Sequence, residues 1–303
     1  MDPELEAFLP FFPDAGLDDP AAAREKFAGL ATAVPPPDDA DLTVEDRAVP
    51  GAPGDPDVPI RIYRPRQAAT RGAVVWLHGG GYVMGDVRTE HPWATRLAVA
   101  SGTLLVSVGY RLAPEHPFPA ALDDACAVLR WTARHAAELG VDPDRIAVGG
   151  HSAGGGLAAA TTLRTRDENG PAIRFQLLNQ PQLDDRQESW SQRNFTDTPW
   201  VNRGTVAASW RHYLGSAPAT PYAAPARATD LSGLPPAYVA TAEFCPNRDE
   251  DLDYALRLLR AGVSVEVHQW PGTFHGSQAI LSADISQRQN AELGAVLRRA
   301  LSG

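Results

Sequence analysis

Apolar runs alternate along this chain with longer helical patterns. The runs that predict buried strands lie at 73–77, 104–108, 146–148 and 238–240. Continuous apolar runs are typical of parallel strands that are covered on both faces. Helical patterns lie between or after them, at about 119–139, 153–166, 247–262 and 284–301. This alternation predicts an α/β fold built on a doubly wound, mostly parallel sheet with right-handed crossovers.

Two segments break the alternation. Residues 1–45 combine short apolar helical pieces with proline and aspartate, and the prolines at 35–37 are predicted to end them. Residues 185–225 are rich in Trp, Gln, Asn and Pro and are too long for an ordinary loop. We therefore expect 1–45 to form N-terminal cap helices, 46–303 to form the main domain, and 185–225 to add a cap insertion over the carboxyl edge of its sheet.

The net charge of the chain limits the classes of partner that it is expected to bind. Its 303 residues carry a formal net charge of −10. An acidic surface repels phosphate backbones and anionic lipid heads, so we expect neither nucleic acid nor membrane partners. No stretch reaches the roughly 20 apolar residues of a spanning helix. The start of the chain is acidic and lacks a basic signal region, so a cytoplasmic location is expected. A homodimer is left open.

The cysteine and lysine content excludes several chemistries. Cys126 and Cys245 are the only cysteines, which provides neither a disulfide framework nor the spacing of a zinc site. Lys26 is the only lysine and lies in a polar N-terminal stretch, which disfavours Schiff-base chemistry. We expect no metal and no cofactor.

A glycine-flanked serine follows the predicted strand at 146–148. Residues 150–154 read Gly-His-Ser-Ala-Gly and precede an alanine-rich helix. A serine on a sharp turn between strand and helix is exposed, and the helix N-terminus offers amide groups and a positive dipole to a developing oxyanion. We therefore expect Ser152 to be a nucleophile and the amide of Ala153 to bind the oxyanion.

Three consecutive glycines, at 79–81, follow the predicted strand at 73–77. Glycine amides are unobstructed, so two of them can point at one oxygen. The G-x-x-x-x-G-K-[ST] pattern of a phosphate-binding loop is absent. The amides of Gly80 and Gly81 are the predicted second half of the oxyanion hole, and His78 is expected to brace this loop.

These two motifs, together with residues 110–121 (YRLAPEHPFPAA), resemble the hormone-sensitive-lipase-like family of α/β-hydrolases, in its bacterial carboxylesterase branch. The resemblance covers about residues 40–303. It implies an α/β-hydrolase fold with a divided helical cap, with 46–303 as the catalytic domain. It also implies the hydrolysis of small esters with short acyl chains. Within 110–121, we expect Arg111 and Glu115 to form an ion pair.

The general base of this fold follows the last strand, in the chain order serine, acid, histidine. Val263 to Trp270 is the predicted last strand, and residues 271–276 (PGTFHG) resemble the histidine loop of the family. His275 is therefore expected to take the proton of Ser152 and later to give it to the leaving alcohol.

The acid position departs from the family pattern. That pattern places aspartate where this chain has Cys245, and the flanking residues fit without a gap. Three explanations stay open. Another carboxylate substitutes, with Asp249 preferred and Glu243 and Asp184 as the others; or Cys245 itself orients His275; or the reaction needs no acid.

Two further features concern the predicted pocket. The family more often has aspartate where this chain has His151, which adds a group that titrates near neutral pH. We assign it no catalytic role. Trp190, Trp200 and Trp210 lie in the predicted cap insertion and would suit a pocket for aromatic groups.

The favoured function is a serine carboxylesterase acting on a small ester, with short-acyl and aryl esters as the expected class. The altered acid position motivates an alternative, a biosynthetic enzyme that opens a lactone, releases a thioester, or performs acyl transfer or elimination. The third hypothesis is a non-catalytic binding protein. Ser152 and His275 argue against it, because a binding protein has no need of the pair.

Overall fold

An eight-stranded sheet forms the centre of the computed structural model, which describes residues 1–33 and 38–302. Over these residues the strands are β1 Leu42–Val49, β2 Val58–Pro65, β3 Ala73–Leu77, β4 Leu104–Val108, β5 Ile146–His151, β6 Phe175–Asn179, β7 Ala237–Phe244 and β8 Val265–Phe274. The α-helices are α1 Pro3–Glu6, α2 Pro20–Ala33, α3 His91–Ser101, α4 Ala120–Arg134, α5 Ala136–Leu139, α6 Ala153–Asp167, α7 Trp190–Asn194, α8 Arg203–Leu214, α9 Arg248–Arg260 and α10 Asp284–Leu301. The prolines at 35–37, predicted to end the N-terminal helices, lie outside the described residues. None of the described helices is long and apolar enough to cross a membrane.

The strands are ordered β1-β2-β4-β3-β5-β6-β7-β8 across the sheet. Strand β2 pairs antiparallel with β1 and with β4, and every other pair is parallel. In the register, Leu77 of β3 lies opposite Gly150 of β5. The carboxyl ends of these two strands, each followed by a glycine motif, therefore meet at one edge of the sheet. The predicted doubly wound, mostly parallel α/β sheet is confirmed.

Helices cover both faces of the sheet, which explains the continuous apolar runs. All residues of β3 and β4 are buried. On one face they belong to a core cluster that includes Leu129 of α4, Leu157 of α6 and Leu258 of α9. On the other face the partners include Leu97 of α3 and Leu297 of α10. Because side chains alternate between the faces of a strand, a sheet buried on both faces favours apolar residues at successive positions, with the buried Ser107 of β4 as an exception.

The N-terminal residues pack against the segment that precedes α8. The amide of Ala15 donates to the carbonyl of Trp200 over 3.0 Å, and the amide of Trp200 donates to the carbonyl of Phe12 over 3.1 Å. The rings of Phe12 and Phe27 also contact the Trp200 ring, at centroid distances of 6.3 and 6.4 Å. The division predicted at 45/46 falls inside β1, since this strand begins at Leu42.

The predicted ion pair between Arg111 and Glu115 is wrong. Arg111 binds Asp124 over 2.8 Å and Asp55 over 2.9 Å, and the Asp124 side chain is only 2% exposed. Glu115 turns outward and binds Arg24 of α2 over 2.6 Å. The reason is tertiary: a buried carboxylate attracts the arginine more strongly than an exposed neighbour on the same loop does. Glu115 thus connects the 110–121 segment to the N-terminal helices.

Candidate active site

Ser152 lies on a strained turn between β5 and α6. Its backbone has φ 56° and ψ −125°, which a non-glycine residue rarely adopts. Its amide donates to the carbonyl of Asn179 over 2.9 Å, which connects the turn to β6. Only glycine fits at the two flanking positions, because a Cβ atom there would clash with the backbone. A Cβ at Gly154 would lie 2.0 Å from the carbonyl oxygen of Leu77, and one at Gly150 would lie 2.4 Å from that of Gly154.

His275 follows β8 directly and reaches across the same edge of the sheet. Its Nε2 lies 2.8 Å from Oγ of Ser152, which is hydrogen-bonding distance. Only 4% of the residue is exposed. The structure therefore brings together the predicted nucleophile and the predicted base, 123 residues apart in sequence.

Cys245 contacts the other nitrogen of this imidazole. Its Sγ lies 3.1 Å from Nδ1 of His275. Cys245 follows β7, next to β8 in the sheet, and is fully buried. The thiol thus occupies the place from which a carboxylate would orient the histidine.

Asp249, the preferred substitute acid, points elsewhere. Its Oδ2 accepts a hydrogen bond from the amide of Ser191 over 2.8 Å, and its Oδ1 binds Arg248 over 2.8 Å. The contact with Ser191 connects the first turn of α9 with α7, and the contact with Arg248 lies within α9. Although Asp249 lies only four residues after Cys245, the structure brings the cysteine and not the aspartate to His275.

The two other carboxylates proposed from the sequence are also engaged outside the site. Glu243 accepts a hydrogen bond from the amide of Gly272 over 2.6 Å, within the turn that leads to the histidine loop. Asp184 binds Arg186 over 2.7 Å near the surface. Neither has a described contact with the imidazole.

Three backbone amides near the nucleophile have no protein acceptor among the described residues. Among the described residues, the N–H groups of Gly80, Gly81 and Ala153 donate no hydrogen bond to protein atoms. The amide of Gly79 differs, because it donates to Nε2 of His151 over 3.0 Å. The glycine loop is thereby fixed at one end, and its next two amides remain able to bind an oxyanion.

Residues 74–279 match a protein family described by the alpha/beta hydrolase fold. The chain belongs to this family. A carboxylesterase of Mycobacterium tuberculosis, NlhH, is 41% identical over 288 residues, which cover 91% of this chain and 88% of the relative. An arylesterase of Saccharolobus solfataricus is 34% identical over 98% of both chains. The predicted resemblance to the hormone-sensitive-lipase-like branch is therefore confirmed, and this α/β-hydrolase is a carboxylic ester hydrolase.

A solved structure of a bacterial heroin esterase is similar throughout. It superposes with a TM-score of 0.97 and is 44% identical, covering 100% of this chain and 98% of its own. The segments outside the sheet, including the N-terminal residues and 185–225, are thus shared with an esterase fold.

Burial controls the charge of the Cys245–His275 pair in this α/β-hydrolase. Desolvation raises the pKa of the Cys245 thiol well above its usual value, and the nearby Asp251 charge adds to the rise. Desolvation also lowers the pKa of His275 to about 3, with the charge of His151 as a smaller cause. Both groups are therefore neutral at neutral pH, and residues 1–33 and 38–302 provide no ionised partner in contact with a protonated His275.

Two buried carboxyl groups of α9 lie behind Cys245 and influence its thiol. Burial raises the pKa of Glu250 to about 8, although its Oε1 accepts the amide of Leu183 over 2.8 Å. Burial and the Glu250 charge raise the pKa of Asp251 well above its usual value. Glu250 therefore holds its proton at neutral pH, and burial disfavours the charged form of Asp251.

His151 braces the glycine loop of this α/β-hydrolase. Its Nε2 also lies 3.2 Å from Oε2 of Glu90, so an unprotonated Nε2 accepts from Gly79 and a protonated Nε2 donates to Glu90. The other oxygen of Glu90 accepts from the indole N–H of Trp76 over 2.7 Å, and the His151 ring stacks on Trp76. Sequence reasoning did not identify Glu90, because a glutamate before a helix carries no distinguishing pattern.

A cavity of about 470 Å³ opens onto Ser152 and His275. Its walls are mainly apolar, and they include six aromatic rings from the N-terminal segment, α3 and the segment before α8: Phe8, Phe11, Phe12, Phe27, Trp93 and Trp200. Of the three tryptophans considered from the sequence, only Trp200 lines this cavity. Trp190 is 59% exposed, and Trp210 is buried beside Tyr82 and Tyr213.

Proposed function

We propose that this α/β-hydrolase cleaves small carboxylic esters through an acyl-enzyme on Ser152. The 2.8 Å contact between Oγ of Ser152 and Nε2 of His275 carries the proposal. As Oγ attacks the ester carbonyl, its proton moves to Nε2. The oxyanion accepts hydrogen bonds from the amides of Gly80, Gly81 and Ala153.

The second half of the reaction uses the same groups. The tetrahedral intermediate breaks the bond to the alcohol oxygen, which takes the proton from Nε2 of His275 and leaves. Water then attacks the acyl group on Ser152 and gives a proton to Nε2, and the acid is released as Oγ recovers its proton.

We infer that Cys245 is the third member of this arrangement. For Nε2 of His275 to accept a proton, the neutral imidazole must carry its hydrogen on Nδ1. Sγ of Cys245, 3.1 Å away, is the acceptor that supports this tautomer. The thiol therefore orients the ring but adds little charge stabilisation, because it is neutral and a weak acceptor.

The substrate class follows from the cavity and is supported by relatives. Its aromatic walls suit a flat or apolar group on either side of the ester. Relatives named for ethyl acetate, aryl ester and heroin hydrolysis share this fold and 34–44% of the sequence. We propose short-acyl and aryl esters, held beneath a cap formed by residues 1–33 and 185–225. The two free, buried cysteines support a cytoplasmic location.

Covalent labelling tests the nucleophile. Wild type, Ser152→Ala and the exposed control Ser216→Ala are treated with diethyl 4-nitrophenyl phosphate, and the labelled peptide is identified by mass spectrometry. We expect one diethylphosphoryl group on Ser152, with 4-nitrophenyl butyrate hydrolysis lost in Ser152→Ala and retained in Ser216→Ala. Turnover that survives Ser152→Ala would disprove the proposal. Labelling of Ser152 without turnover of any ester would favour acyl transfer or elimination, and no labelling of the folded protein would favour a binding protein.

A further inference from the structure

We infer that this esterase selects substrates by their leaving group, and that its substrates are aryl or enol esters rather than esters of simple alkanols. The inference rests on the proposed Ser152 mechanism and names its substrate class. The decisive feature is the neutral contact between Cys245 and His275, in the place where an ion pair would otherwise assist the base.

The first step concerns the strength of the base. The Sγ–Nδ1 contact is 3.1 Å, and both residues are buried. Asp249 is held by Ser191 and Arg248, and Glu243 by Gly272. A proton transferred to Nε2 therefore creates an imidazolium in a dry site without an ionised partner, which is costly.

The second step concerns the breakdown of the tetrahedral intermediate. In acylation the bond from Oγ of Ser152 to the acyl carbon forms, and the proton of Oγ moves toward Nε2 of His275. The bond from the acyl carbon to the leaving oxygen then breaks, and that oxygen takes the electron pair. A phenol, with a pKa of about 10 like that of tyrosine, leaves as its anion or with late protonation. An alkanol resembles water, with a pKa of about 15.7, and must receive the proton as it leaves.

Aryl esters therefore place the smaller demand on His275. Their carbonyl group is more electrophilic, so Oγ attacks before its proton is fully transferred. Their intermediate also breaks down with less proton donation, so the unstabilised imidazolium is never fully formed. An alkyl ester requires His275 to take the whole proton from Oγ and then to give it to the leaving alcohol. The neutral Cys245 does not stabilise the imidazolium that forms between these two transfers.

The cavity accommodates such substrates. Its volume of about 470 Å³ is roughly three times that of a cavity that holds benzene, about 150 Å³. The rings of Phe12 and Phe27 each contact the Trp200 ring along one wall. An aryl leaving group can pack edge-to-face or offset against these rings, while the acyl group lies at the oxyanion amides.

A second consequence concerns deacylation. Aryl and alkyl acetates give the same acetylated Ser152, and water must then be activated by His275. Because water is a poor acid, this step needs the full strength of the base. We therefore expect acylation by an aryl ester to outpace deacylation, so that the acyl-enzyme accumulates and phenol appears in a burst.

A matched pair of esters tests the inference. Phenyl acetate and cyclohexyl acetate have similar size, but their leaving groups differ by about six pKa units. Wild type, Cys245→Ser and Cys245→Asp are compared, with Cys126→Ser as a control for a buried cysteine remote from the site. We expect wild type, Cys245→Ser and Cys126→Ser to prefer phenyl acetate by about 10³-fold or more in kcat/KM. In Cys245→Asp, the ratio should fall at least about tenfold because the cyclohexyl rate rises.

The outcomes are distinguishable. Equal kcat/KM values for the two esters in wild type would overturn the inference while leaving the Ser152 esterase intact. So would an unchanged ratio in folded Cys245→Asp, or cyclohexanol and phenol appearing in equal bursts. If Cys245→Asp does not fold, the wild-type ratio and the phenol burst decide. If wild type shows no Ser152-dependent turnover of either ester, the proposed function itself is wrong.

Discussion

The thiol of Cys245 lies 3.1 Å from Nδ1 of His275, on the side of the ring opposite Ser152. A line of three side chains thus runs from the nucleophile to the base and on to a neutral sulfur. In serine proteases, disabling the carboxylate at this place lowers the rate by about 10⁴-fold. The consequences for this esterase depend on whether the sulfur behaves as a neutral orienting group.

Asp249 should not be required for ester hydrolysis. In Asp249→Asn the Ser191 amide keeps an acceptor, and only the ion pair with Arg248 is weakened. We expect kcat/KM for 4-nitrophenyl acetate to stay within about threefold of wild type, and stability to fall by about 1 kcal/mol at most because the pair is partly exposed. Steady-state kinetics and urea unfolding measure the two effects. A loss of 100-fold or more in a folded protein would restore Asp249 as the orienting acid.

His151 should act through the oxyanion loop. In His151→Ala the amide of Gly79 loses its acceptor, and the loop that carries Gly80 loses its brace. We expect kcat to fall by about tenfold with little change in KM, because an oxyanion donor is misplaced rather than removed. His151→Gln, whose side chain reaches the position of Nε2, should recover most of the activity. An unchanged kcat in His151→Ala would mean that packing alone positions the loop.

Glu250 should make the protein less stable as the pH rises. Folded Glu250 holds its proton up to about pH 8, because burial disfavours its charged form, whereas its ordinary pKa is 4.5. Between these values the folded state binds the extra proton, so stability falls with increasing pH. From pH 6 to 8 the contribution is about 2 kcal/mol.

Urea unfolding at pH 6, 7 and 8 checks this expectation. Glu250→Gln should reduce the decline, and Glu6→Gln, at an exposed position, should leave it as in wild type. A decline that is the same in all three proteins would show that Glu250 ionises without cost in the folded state.

Much of the fold was predictable because its signals are local. The strands at 73–77 and 104–108 were located to the residue, since every position in them faces a covered side of the sheet. Helix α3 was not predicted. It begins at His91-Pro92-Trp93 and buries small residues such as Ala94 and Ala98 on a narrow face, so its periodicity is weak.

The site was predictable as far as topology determines it. Parallel strands place their carboxyl ends at one edge, so residues that follow β5 and β8 become neighbours whatever the loops do. Topology does not determine whether Cys245 or Asp249 orients His275. Both lie near the start of α9, and only the direction of each side chain, set by contacts with Ser191 and Arg248, separates them. The same holds for Glu115, whose partner Arg24 is 91 residues away.

The pH dependence of kcat/KM tests the neutral Cys245–His275 contact most directly, because it reports the ionisation of the free enzyme. His275 must be unprotonated to act as a base, and burial lowers its pKa to about 3. Activity on 4-nitrophenyl acetate should therefore stay flat from pH 8 down to about pH 5 in wild type and in Cys126→Ser. In Cys245→Asp a carboxylate stabilises the imidazolium, so the acid limb should move up to about pH 6–7. An acid limb near pH 6.5 in wild type that persists in folded His151→Gln would contradict the account and show that an ionised partner already acts on His275.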